Sequence, residues 1–127
     1  MSNILTAFNK HFGDFLDDVQ NVFPDSVDIL AAKNALNLIR KSNPKMLVNI
    51  WMKYIVIPYD EKIELGDISF FINKDYQNDL VNLKSSDTVM ESINRLRQPI
   101  RSMTPGDQEK TMKYIQNLSK LAKMYQN

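Results

Sequence analysis

Any chemistry in this chain has to come from few residues. The one histidine, His11, stands three residues before Asp14, a helical spacing at which a carboxylate can orient an imidazole. Acid–base catalysis also needs a nucleophile or a second base within reach. None is identifiable near His11, so a half-exposed helical histidine is expected. Asp14, Asp17 and Asp18 crowd one helical turn, and Asp14 and Asp18, four apart, are spaced to share a divalent cation. Such a site ordinarily recruits ligands from a second element. The other acidic group, Asp60, Glu61 and Glu64, gives no reason to converge on the first, which reads as a solvated helix face. The chain has no cysteine, which removes thiolate nucleophiles, disulfides and cysteine-based zinc or iron–sulfur sites and fits a reducing compartment. No P-loop, dinucleotide fingerprint, zinc-protease helix or serine elbow occurs, and three glycines leave little material for a phosphate cradle. The sequence therefore predicts no catalytic, cofactor-binding or metal-binding residues and a non-enzymatic protein.

The most suggestive feature is electrostatic. Residues 1–28 carry five aspartates against Lys10, whereas from Arg95 onward Arg95, Arg97, Arg101, Lys110, Lys113, Lys120 and Lys123 face only Asp107 and Glu109. Lys113 and Lys120, seven apart, share one side of a helix, and the others extend that patch toward phosphates or an acidic partner. The competing reading is that these side chains solvate their helices and pair with the acidic beginning of the chain. A net charge of +1 favours it, because dedicated nucleic-acid domains are strongly basic.

These residues ride on helices. Ile4, Leu5, Phe8, Phe12, Phe15, Leu16, Val19, Val22 and Phe23 recur at steps of three and four, predicting a first helix over 3–23. After Pro24, Ser26 or Asp25 caps a second helix through Leu30, Ala31, Ala35, Leu38 and Ile39 that ends near Lys41. Asn43-Pro44 starts a third, with the asparagine side chain as cap, which is apolar around most of its circumference and so central to the fold. It should kink or stop at Pro58, and the chain should turn at Gly66. The stretch 67–83 is read as two short helices, from Asp67 and then through Leu80. Ser85-Ser86-Asp87 caps a helix over Val89 to Met103 bent at Pro99, and Thr104 with Asp107 caps a last helix whose inner face is Met112, Ile115, Leu118, Leu121, Ala122 and Tyr125. Trp51 and most methionines fall at core spacings, and any apolar surface left over would mark a protein interface. The expectation is an all-α, compact single-domain bundle of five to seven helices over residues 1–127, with a central apolar helix at about 44–57.

An apolar content of 43% with 24% charged residues is that of an ordinary globular domain, so neither disorder nor a fibrous repeat is indicated. Met46–Tyr59 falls short of the roughly 20 apolar residues of a membrane span, and the first residues lack a signal-peptide pattern, so the protein is expected not to be secreted. Asn43-Pro44 through Ile57-Pro58-Tyr59, then Ser69-Phe70-Phe71-Ile72-Asn73-Lys74-Asp75-Tyr76, and Ile93-Asn94-Arg95-Leu96-Arg97-Gln98-Pro99-Ile100 give most of the chain its likeness. It resembles uncharacterised proteins of nucleocytoplasmic large DNA viruses infecting algae and protists. The resemblance transfers no functional residues. It implies a viral protein in the host cytoplasm, at the viral factory, or in the virion. Its partners would then be other viral proteins or itself as a homo-oligomer, with nucleic acid or a host protein as alternatives.

Overall fold

Three phenylalanines one turn apart set the first element. The computed structural model of the chain describes residues 3–73 and 87–126. Helix α1 (Asn3–Val22) turns Leu5, Phe8, Phe12, Phe15, Leu16 and Val19 into the core. Phe12 meets Phe15 and Trp51 edge-on, with ring centroids 5.7 and 5.5 Å apart. Such pairs add about 0.5–1.5 kcal/mol each beyond burial.

Ser26 caps α2 (Val27–Ser42), its hydroxyl accepting the Ile29 N–H at 3.2 Å. The phase of this helix differs from the expected one. Ile29, Ala32 and Leu36 are buried, while Leu30, Ala31 and Leu38 face solvent. Helix α3 (Pro44–Trp51) starts at Pro44 without the expected Asn43 side-chain cap. Asn43 is engaged in ending α2 instead, donating its backbone N–H to the Ile39 carbonyl at 2.7 Å with φ −147° and ψ 76°.

The central helix bends beside Pro58, as expected, and does not stop there. A π turn, Met52–Val56, leads without interruption into α4 (Ile57–Leu65), and the rod bends at Tyr59, where φ is −129° and ψ 22°. A proline ring collides with the carbonyl four residues back and removes one amide donor, and widening the preceding turn relieves both. The rod ends at Gly66 in the left-handed region (φ 75°), where the Gly66 and Asp67 N–H groups bond the Ile63 and Lys62 carbonyls.

Asp67 then folds over the short α5 (Ser69–Ile72), accepting from the Ser69 N–H at 3.0 Å and from its hydroxyl. The second short helix expected through Leu80, and the caps Ser85 and Ser86, lie outside the described residues. Helix α6 (Asp87–Arg101) carries Pro99 near its end. Thr104 opens α7 (Pro105–Gln126) by accepting the Asp107 N–H at 3.2 Å.

Among the described residues the fold is an all-α bundle without strands. Helix α1 packs chiefly on α7, α2 chiefly on α6, and the α3–π rod passes between, touching α1, α2 and α7. At its centre Trp51 is fully buried, its indole N–H donating to the Ser119 hydroxyl at 3.1 Å. No helix among the described residues is long and apolar enough to cross a membrane.

Candidate interaction surfaces

The acidic turn of α1 is dispersed by its partners. Asp14 pairs with Lys10 at 3.3 Å, Asp17 with Lys33 of α2 at 2.9 Å and Asp18 with Lys110 of α7 at 2.9 Å. Each carboxylate thus takes its own ammonium, and no group of three potential ligands gathers for a metal among the described residues. Of the other acidic group, Asp60 and Glu64 both pair with Lys123. The hydrogen bond to Asp18 raises the Lys110 pKa, and the one to Asp60 raises that of Lys123.

His11 lies in a shallow groove of about 380 Å³ between α1 and α7, shared with Asp14, Lys120, Leu121 and Met124. Its ring rests on that of Tyr114, centroids 5.0 Å apart, and its Nε2 is enclosed without a hydrogen-bond partner among the described residues. Burial lowers the imidazole pKa, Asp14 partly opposes this, and Lys10 adds to it. Asp14 bonds to Lys10, so it is not the orienting partner the spacing offered.

The seven basic residues do not form one patch. Arg95 joins Glu91 and Asp28 of α2 at 3.1 and 3.4 Å. Arg97 is buried, its guanidinium 4.3 Å from the Phe71 ring centroid and donating to the Phe71 carbonyl at 2.5 Å and to Asn94 at 2.8 Å. Arg101 donates to the Ile72 carbonyl. These two arginines donate to carbonyls at the end of α5, a structural task. Lys110 and Lys123 are the ion pairs above. Lys113 and Lys120 remain exposed without an ion pair among the described residues.

What the sequence reading missed is the outward face of α2. Val27, Leu30 and Leu38 are 79%, 46% and 68% exposed, and with Ala31 and Asn34 they form one stripe opposite the buried Ile29, Ala32 and Leu36. At 100° per residue the stripe spans about a quarter to a third of the circumference. Ile57, Leu65 and Met124 are exposed as well, but they stand among charged neighbours and form no such row. The signal was present in the sequence: α2 is apolar on two opposite faces, and a helix packed against one side of a bundle can bury only one of them.

Compared with known proteins, the chain matches no family model, no curated protein and no solved structure at a significant level.

Proposed function

We propose that this chain is a non-enzymatic interaction protein that works through a helix face, in keeping with the small virion or assembly component its sequence resemblance implies. The observation that carries the reading is the exposed apolar stripe of α2, because a row of large apolar side chains held in water on a regular helix costs solubility unless a partner covers it. It is in keeping with the fate of the chemistry-bearing residues, since the clustered aspartates of α1 are each matched to a lysine and His11 packs against the Tyr114 ring. The test compares the native protein with a Leu38→Glu variant in lysates of the cells that make it, by native size fractionation. A complex larger than the monomer that is lost in the variant is expected. Identical migration of both at the monomer size would overturn the proposal.

A second reading, a nucleic-acid-associated protein, draws on Lys113 and Lys120. They are exposed, seven residues apart on α7, and form no ion pair among the described residues.

A further inference from the structure

The α2 stripe has an internal symmetry. Val27, Ala31, Asn34, Leu38 and Lys41 follow one another at steps of four, three, four and three, the spacing of a helix seam, and all five are exposed. Asn34 is the midpoint of the row. About that point Leu30 mirrors Leu38 and Val27 mirrors Lys41.

The charges at the two ends are opposite. Asp25 precedes the helix, Lys41 lies in its last turn and Lys45 just beyond. All three are exposed, and none has an ion pair among the described residues. We infer that the stripe is the seam of a homodimer in which α2 of one copy packs antiparallel on α2 of a second, with Asn34 on the twofold axis. This rests on the helix-face reading above and names its partner.

The antiparallel arrangement follows from charge and shape together. Side by side in parallel, two copies place Asp25 against Asp25 and Lys41 against Lys41. Turned about Asn34, they bring the Asp25 end of each copy to the Lys41 end of the other. The same rotation lays Leu30 on Leu38 twice, on either side of the axis. A twofold contact uses the same patch on both copies, and here each Leu30 meets a Leu38 while the aliphatic stem of each Lys41 lies along a Val27. The two Asn34 carboxamides meet at the axis, where each can donate its NH₂ to the other's oxygen, fixing the register at some cost in stability.

The seam runs about 21 Å from Val27 to Lys41. Stable dimers bury about 1,200–2,000 Å² in total, and one 16-residue helix from each copy is a small patch by that measure, so the association is weak and concentration-dependent.

The test uses the full chain. Light scattering after size exclusion, with loading from about 1 μM to about 1 mM, covers the span over which a weak interface changes occupancy. The expected result is a rise from monomer to dimer mass. Leu38→Glu should weaken dimerisation by at least about tenfold while leaving the melting temperature of the dilute monomer unchanged. Asp25→Lys and Lys41→Glu should each weaken it several-fold, and the double variant should return to about the native value, because the rotated pairs are then exchanged and not lost. The chain has no cysteine, so Asn34→Cys provides a clean probe that should form a disulfide-linked dimer under mild oxidation, whereas Glu109→Cys on α7 should not.

A protein that is monomeric at every concentration overturns the dimer. If it nevertheless enters a Leu38-dependent complex in lysate, the helix-face reading stands with another partner. A Leu38→Glu variant whose monomer melts far lower would assign the stripe to packing within one copy and overturn the dimer. A dimer indifferent to the charge reversals would overturn the antiparallel register.

Discussion

Gly13 has no turn to make, since it lies in the middle of α1, and its role is to leave room. A Cβ there would stand 3.0 Å from the Arg40 guanidinium, which crosses from α2 to donate to the Asn9 carbonyl at 2.9 Å and to Asn37 at 3.1 Å. Alanine is worth about 0.5–1 kcal/mol over glycine within a helix, and a hydrogen bond from a charged donor about 1.5–3 kcal/mol, so Gly13→Ala should lower stability by about 1 kcal/mol net. In an Arg40→Ala background the same change should stabilise by about 1 kcal/mol, and a double-mutant cycle by urea denaturation reads the difference. Additive effects would show that Arg40 does not depend on the gap. Ser119 offers a sharper case. Replacing it with alanine leaves the buried Trp51 N–H unpaired, which should cost about 1–3 kcal/mol, followed by the fluorescence of the only tryptophan in the chain. His11 adds a pH dependence. Burial holds its folded pKa below the unfolded value near 6.5, so the unfolded chain binds the proton more readily. Its contribution is complete above about pH 6.5 and is lost as pH falls toward the folded pKa. Asp67, lowered by its Ser69 hydrogen bonds, acts only below the carboxylate range, and raised Lys110 and Lys123 act only in the alkaline range. Denaturant midpoints between about pH 7 and pH 5 should therefore fall for the native protein and stay flatter for His11→Gln.

At the scale of elements, local grammar was legible where one cause acts. Ser26, Pro44, Gly66 and Thr104 mark helix ends because capping depends on neighbours within four residues, and the apolar rows of α1 and α7 point inward as their periodicity requires. Two features were not legible. The π turn before Pro58 lets a helix run on through a residue that ordinarily breaks it, because the register change happens upstream of the proline. The phase of α2 was ambiguous because Ile29-Ala32-Leu36 and Leu30-Ala31-Leu38 are both apolar, and only packing against α6, α3 and α1 chooses between them. The candidate surface was hidden by that same ambiguity. Gly66 gives this scale its prediction. With φ at 75° a side chain is strained there, although the nearest atom to an added methyl, Gln116 Nε2, is 3.6 Å away and leaves space. Gly66→Ala should thus lower stability by about 1 kcal/mol through backbone conformation alone, and Gly66→Asn, which tolerates the left-handed region better, should lose less. Equal losses for the two in thermal denaturation would place the cost in packing instead.

For the whole molecule, much of the acidic beginning and the basic end of the chain is taken up by contacts between elements. Lys110 reaches Asp18 across α1 and α7, Arg95 reaches Asp28 across α6 and α2, and Lys123 reaches Asp60 and Glu64 across α7 and α4, while Arg97 and Arg101 close the end of α5. Individually such exposed pairs contribute little stability, but they occupy the cations a phosphate backbone needs. Within the basic third, Lys113 and Lys120 are left to meet DNA without first giving up an ion pair. Each neutralised phosphate contributes about 0.9 to the slope of log affinity against log salt, so two contacts give a slope near −2. Binding of a short duplex, followed by fluorescence anisotropy as salt is raised, should accordingly be weak, with a slope no steeper than about −2 that is abolished by Lys113→Glu with Lys120→Glu. A slope of about −4 or steeper would require the paired lysines and arginines to leave their partners for the nucleic acid. The charge asymmetry of the sequence would then be a working surface, and the apolar face of α2 would no longer be the main claim on function.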